Sequence, residues 1–403
     1  MSQLRLPRSA ALLAATLVAA PAAAQELPRL TLDPDATTVS GLSSGAFMTV
    51  QMHIAFSGRF AGAGVVAGGP YDCADDRLLT AISTCMSGTG GLPEASDSVQ
   101  RAEENAAAGV IDPLEGMEGD RVYLFSGTRD ETVDQAVMDV TQDFYEQMGI
   151  AEAALRYVAD VPAGHAFLAD DAPVSCGDTD PPFLNDCNID QAGDVLSWMY
   201  GDLLPKVTPV AAHLQRFDQG AFLTDPAAHS MADEGFVYIP QACAEGTTCK
   251  LHIAFHGCKQ GIDRLDDQYA TATGYNGWAE ANGIVVLYPQ AISSLIEGNP
   301  NGCWDWWGYD DPDYATRNGP QMAAVAQMAT ALGVPFVGTG PEESVCISHE
   351  AFNSVHWQQD RAAPCGFGAL CALGSGDPIG SWFGASTLFE TDVGAFQLES
   401  CAG

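Results

Sequence analysis

The chain has 403 residues, 47% of them apolar, and a formal net charge of −36. That apolar fraction supports a sizeable core and excludes an intrinsically disordered chain. The acidic excess excludes nucleic acid and anionic membranes as natural partners and argues against a strongly acidic polymer as substrate; it suits a well-solvated surface.

Arg5 and Arg8 precede an apolar run, Ala10 to Ala20, and Pro21-Ala22-Ala23-Ala24 then offers small residues for cleavage. This pattern predicts a secretory signal peptide over residues 1–24 and a periplasmic or secreted protein. A retained N-terminal anchor is the competing reading. The run is too short to span a bilayer, and no later segment is long and apolar enough. Roughly 380 residues would remain, enough for one large domain over 25–335 and a small module over 336–403. Twelve cysteines in an exported chain predict disulfides. Short loops would be closed by Cys73 with Cys85, Cys176 with Cys187, and Cys243 with Cys249. The connectivity of Cys346, Cys365, Cys371 and Cys401 stays open. Zinc is the rival reading of the cysteines, but no Cys-x-x-Cys occurs.

The first element of the expected mature chain is a short strand, Thr37 to Ser40. Gly41-Leu42-Ser43-Ser44-Gly45 follows, then a helix over Ala46 to Phe56. A Gly-x-Ser-x-Gly turn between strand and helix exposes a nucleophilic serine in α/β-hydrolases, and its glycines allow the sharp bend. The position is unusual, because such folds place several strands before the serine. Further strands are predicted at 61–67, 121–126, 154–161, 235–239, 250–255 and 284–288. Helices are predicted at 136–148, 189–203, 266–282 and 321–332. Alternating strands and helices imply an α/β fold with a mostly parallel sheet and helices on both faces. Residues 333–343 read as a Gly- and Pro-rich linker. The segment beyond it suits a small, β-rich, disulfide-stapled module.

A serine nucleophile needs a base, an orienting acid and oxyanion donors. Asp130 lies just past the strand at 121–126, where open α/β sheets gather their ligand-side residues. A turn or helix-cap role is the competing reading, and Glu131 is the alternative acid. His165, in Ala163-Gly164-His165, follows the strand at 154–161 and is the best-placed base. One oxyanion amide would come from Ser44. The other normally comes from a His-Gly type loop after an early strand. Here that loop is His256-Gly257-Cys258, about 200 residues after the serine by the chain's own numbering. His252 and His256 share a strand face and would be open to a metal, but no third ligand is evident. The order of these parts reads as a circularly permuted α/β-hydrolase. It predicts that the helix at 321–332 ends near the strand beginning around Thr37.

At this point the chain resembles the secreted poly(3-hydroxybutyrate) depolymerases with a permuted, type 2 catalytic domain. The resemblance rests on GLSSGAFMTVQMH (41–53), GTRDETV (127–133), AGHAF (163–167), LHIAFHGCKQG (251–261), LYPQA (287–291) and NPNGCWDWWGY (299–309). It implies Ser43 as nucleophile, Asp130 as acid and His165 as base, with the Ser44 and Cys258 amides as the oxyanion hole. It places Trp304, Trp306, Trp307 and His256 at a neutral polyester substrate, although each tryptophan could equally be core. No metal or organic cofactor is implied. Cys258 and Cys303, beside the oxyanion loop and the tryptophan segment, are expected to pair. A feruloyl or acetylxylan esterase is the rival enzyme, and a binding protein that lost catalysis is the rival class.

Overall fold

A computed structural model describes residues 25–336 and, beyond them, 347–358, 361–366, 369–372, 378–381, 384–392 and 395–398. The expected signal peptide, Cys346 and Cys401 lie outside the described residues. The chain divides into two compact units, residues 1–334 and 335–403.

The large unit is built on an eight-stranded sheet. Its strands in chain order are β1 (Leu32–Leu42), β2 (Gly62–Val66), β3 (Arg121–Phe125), β4 (Leu155–Val158), β5 (Leu214–Asp218), β6 (Glu234–Tyr238), β7 (Cys249–Phe255) and β8 (Ile284–Tyr288). Their spatial order is β4-β3-β2-β1-β7-β8-β6-β5. The first six in that order are parallel; β6 pairs antiparallel with β8, and β5 pairs antiparallel with β6. The central strands are apolar runs because both faces are covered. Every residue of β2 and β8 is buried, as is Leu251–Phe255 of β7.

The principal helices are α1 (Ser44–Ala55), α2 (Ala95–Ala107), α3 (Gln135–Gln147), α4 (Gln191–Tyr200), α5 (Ile262–Leu265), α6 (Gln268–Ala272), α7 (Tyr275–Asn282) and α8 (Pro320–Leu332). Two expectations need correction. The helix predicted over 266–282 is two short helices, α6 and α7, because Gly274 (φ 92°) turns left-handed between them; Asp266 (φ 52°) ends α5 just before. Strand β5 has no counterpart in the sequence reading: Leu-Gln-Arg-Phe-Asp carries no apolar run and buries only Phe217 fully.

The elbow strand β1 and the late strand β7 are parallel neighbours, with Ser40 opposite Ala254 and Gly41 opposite Phe255. Helix α8 ends beside the start of β1, where the Leu30 amide donates to the Leu332 carbonyl. The permuted strand order is therefore closed as anticipated. A buried polar network lies under this seam. Thr38 Oγ1 and Ser40 Oγ each contact a nitrogen of the His252 ring at 2.8 Å, and Ser40 Oγ also meets Tyr275 Oη at 2.6 Å. Both ring nitrogens of His252 are thereby occupied, and burial pushes its pKa down to about 3.

The small unit contains two three-stranded antiparallel sheets among its described residues. Cys365 pairs with Cys371 there.

Candidate active site

Ser43 sits between β1 and α1 with φ 57° and ψ −122°. A non-glycine residue there is strained, as expected of a nucleophile elbow. The turn is held by the Ser43 amide donating to Val66 O at 2.9 Å, and by the Ala46 and Phe47 amides donating to Ser43 O. Both flanking glycines are required. A Cβ on Gly41 would strike the Gly45 carbonyl, and one on Gly45 would strike the carbonyls of Phe255 and His256.

Strand β3 delivers Asp130 to the same edge of the sheet. Its Oδ1 accepts the amides of Thr132 (2.8 Å) and Val133 (3.0 Å). Its Oδ2 meets His165 Nδ1 at 2.7 Å. Asp130 thus caps its own turn and orients the histidine with the same carboxylate. The alternative acid, Glu131, is exposed. The His165 and Asp130 side chains are only 8% and 1% exposed.

His165 lies in the loop after β4. Its amide donates to Thr179 Oγ1 at 2.9 Å, and the Gly164 amide donates to Cys176 O at 2.9 Å. A carboxylate can only accept, so Nδ1 carries the proton and Nε2 presents its lone pair. Among the described residues neither His165 Nε2 nor Ser43 Oγ has a protein hydrogen-bond partner. Such bonds commonly tighten only when substrate binds.

The expected oxyanion loop, His256-Gly257-Cys258, follows β7. A Cβ on Gly257 would lie 3.4 Å from Ser43 Cβ and 3.2 Å from Leu42 O, so the loop packs directly on the elbow. The backbone amides of Ser44 and Cys258 have no protein acceptor among the described residues. His256 is placed differently from the expectation. It is fully buried, its Nδ1–H donates to Gly257 O at 2.7 Å, and its Nε2 accepts from the Ala291 amide at 3.0 Å. With both nitrogens used it cannot also bind substrate. Burial holds it neutral, with its pKa pushed down to about 4. Its effect is to fix the Gly257–Cys258 peptide plane, since the C=O and N–H of a trans peptide point in opposite directions.

Ser43 and Cys258 line a cavity of about 410 Å³, together with Phe47, Met86, Val133, Trp306 and Trp307. Trp306 stacks on Phe47 with centroids 3.9 Å apart. Trp304 is a correction: it is fully buried, away from the cavity, with Nε1 donating to His256 O at 3.0 Å. All four expected cysteine pairs are disulfides: Cys73–Cys85, Cys176–Cys187, Cys243–Cys249 and Cys258–Cys303. The last joins the oxyanion loop to the tryptophan segment.

Sequence reasoning missed the wall formed by Leu78, Ala81, Ile82 and Met86. Leu78 and Ile82 are 55% and 51% exposed. Apolar Leu78, Leu79 and Ile82 inside the short loop between Cys73 and Cys85 were the available signal.

No family model matches the chain. Relatives do. A poly(3-hydroxybutyrate) depolymerase of Delftia acidovorans is 43% identical over 331 residues, covering 81% of this chain and 65% of that protein. A polyhydroxybutyrate depolymerase of Talaromyces funiculosus is 34% identical over 340 residues, covering 80% of this chain and 96% of that protein. A crystal structure of the PHB depolymerase from Penicillium funiculosum matches at a TM-score of 0.69 and 33% identity. A PHB depolymerase complexed with an R3HB trimer matches equally well; each match covers 76% of this chain and 98% of the other. With a relative 34% identical and spanned almost end to end, the chain belongs to the poly(3-hydroxybutyrate) depolymerase family.

Proposed function

We propose that the protein hydrolyses ester bonds of poly(3-hydroxybutyrate) or its oligomers by acyl transfer through Ser43. The observation that carries this reading is the 2.7 Å contact between Asp130 and His165, in the loops after β3 and β4 at the sheet edge where the Ser43 elbow follows β1. Asp130 holds the imidazole so that Nε2 faces outward as the base. His165 takes the Ser43 proton as the hydroxyl attacks the ester carbonyl. The Ser44 and Cys258 amides, which lack protein acceptors among the described residues, receive the oxyanion. His165 then protonates the leaving hydroxyl. Water, activated by the same histidine, releases the acid and regenerates Ser43.

The cavity wall supports a neutral, apolar chain as substrate. Leu78 and Ile82 of that wall are exposed, an apolar fringe suited to a water-insoluble polyester. The R3HB trimer bound to a relative of the same fold supports the same class. The relatives named above are all depolymerases, which favours the polyester over a feruloyl or acetylxylan ester. Five disulfides among the described residues support an exported protein. No described helix is long and apolar enough to cross a membrane.

Product analysis tests the reading. Purified protein should release 3-hydroxybutyrate or short oligomers from amorphous poly(3-hydroxybutyrate) and little from feruloylated or acetylated xylan. Ser43→Ala should abolish release while leaving the fold intact. Full activity in that variant would overturn the assignment.

A further inference from the structure

We propose that Gln260 is a positioning residue that ties the oxyanion loop to the loop behind His165, and so aims the Cys258 amide at the reacting carbonyl. The proposal rests on the roles given above to Ser43, His165 and Cys258. Gln260 is fully buried. A buried amide must find partners for its oxygen and its nitrogen, so their placement is informative. Oε1 accepts from the Gly257 amide at 2.7 Å. Nε2 donates to Pro182 O at 2.8 Å and to Phe183 O at 3.4 Å.

The far end of this strut belongs to the base. Pro182 and Phe183 lie in the loop closed by Cys176 and Cys187. That loop holds the segment around His165 at three points. Thr179 Oγ1 accepts the His165 amide, Cys176 O accepts the Gly164 amide, and Phe183 O accepts the Phe167 amide at 3.0 Å. The near end belongs to the oxyanion hole. Gly257 is clamped at its amide by Gln260 Oε1 and at its carbonyl by His256 Nδ1. Its carbonyl shares a peptide plane with the Cys258 N–H. With both ends of Gly257 held, that N–H has one direction. Among the described residues the glutamine is thus the one side chain that hydrogen-bonds both the oxyanion turn and the loop holding the base. Removing it leaves the buried Gly257 amide without an acceptor and uncouples the two loops.

The test compares Gln260→Leu, which removes every bond, with Gln260→Glu, which keeps an acceptor for Gly257 and loses the donors toward Pro182 and Phe183. The full chain is assayed on a soluble 3-hydroxybutyrate trimer and with a trifluoromethyl ketone, whose serine adduct carries the oxyanion. Loss of a whole oxyanion donor costs about 100- to 1,000-fold in kcat. A misaimed donor should cost about 10- to 100-fold in Gln260→Leu, with KM within about twofold and ketone affinity falling in step with kcat/KM. Gln260→Glu should fall between Gln260→Leu and the parent. Phosphonate titration of active sites separates this from a lower folded fraction, which would leave kcat per site unchanged. Values of kcat and ketone affinity within about twofold of the parent in a folded variant would overturn the proposal. So would loss of fold in both variants, because Gln260 would then be a structural strut. If only Gln260→Leu fails to fold, Gln260→Glu decides. Ser43→Ala is run alongside: activity surviving there overturns the site assignment itself. An inactive Ser43→Ala with unaffected Gln260 variants overturns only the strut.

Discussion

The amide of Leu30, two residues before β1, donates to the carbonyl of Leu332, the last residue of α8, at 2.8 Å. The two ends of the large unit therefore meet, and the late strands β7 and β8 complete a sheet that begins with the elbow. Gly333 makes the join possible. Its φ is +122°, and a Cβ there would press on Leu30 O. Gly333→Ala should combine backbone strain with this clash and cost about 2–4 kcal/mol. Gly149 has a φ of +91° and open space around its Cβ position, so Gly149→Ala should show the backbone part alone, about 1 kcal/mol. Denaturant unfolding of both variants checks this, and equal losses would mean the contact with Leu30 is not a constraint.

Asp130→Asn keeps the shape of the contact to His165 but lets the side-chain nitrogen face Nδ1. The ring would then be held in the wrong tautomer, with its lone pair toward Asp130 and its proton toward Ser43. Activity on a soluble ester should fall about 10,000-fold. The turn should survive, because Oδ1 still accepts from Thr132 and Val133. A loss below tenfold would mean that Asp130 is a capping residue only.

Much of this site was legible in the sequence because its signals are local. Glycines 41 and 45, and the positions of Asp130 and His165 just past apolar strands, follow from turn chemistry and strand alternation. The remainder depends on which way a side chain faces after the chain has folded. His256 and Trp304 lie in the right segments, yet they serve the loop from behind rather than the substrate. Alternation cannot distinguish a core-facing position from a cavity-facing one. The break at Gly274 was hidden for a related reason: an isolated glycine is tolerated inside a helical pattern, and tertiary packing decides whether the chain turns there. The wall at Leu78–Met86 gave no element signal at all, being a short helix continued by a wider turn.

Cys258 and Cys303 close a loop of 45 residues, and such a cross-link is worth about 4 kcal/mol in the chain-entropy account. One end carries the Cys258 amide proposed to receive the oxyanion, and the other leads into Trp306. The double variant Cys258→Ser, Cys303→Ser should lose up to that stability, and kcat should also fall at least about tenfold. Denaturant unfolding and trimer kinetics check the two effects separately. Lost stability with unchanged kcat would show that the bond does not serve the oxyanion loop.

Acid should weaken the seam between β1 and β7. His252 is neutral in the fold, with burial pushing its pKa down from 6.5 to about 3. Protons therefore favour the unfolded chain. The contribution is complete above about pH 6.5 and is lost as pH falls toward 3. At pH 4.5 the loss is about 2–3 kcal/mol. Asp72 and Asp305 oppose it, because burial raises their carboxyls to about 6 and about 7, so falling pH relieves them. The comparison of the parent with His252→Gln isolates the imidazole. The variant should start less stable at pH 7 and lose about 2–3 kcal/mol less between pH 6.5 and 4.5. Parallel stability curves would assign the acid sensitivity elsewhere.

The three tryptophans should separate by position. Trp304→Phe removes the donor to the buried His256 carbonyl and should cost about 1–3 kcal/mol of stability, with trimer KM unchanged. Trp306→Ala breaks the stack on Phe47, which sits on the elbow helix, and should lower both stability and kcat. Trp307 is half-buried, meets Trp306 edge-on with centroids 5.4 Å apart, and lines the cavity. Trp307→Ala should therefore raise trimer KM about 5- to 20-fold, with kcat within about twofold, the pattern of lost uniform binding. A KM within about twofold of the parent in Trp307→Ala would mean that this wall shapes the cavity without holding the substrate.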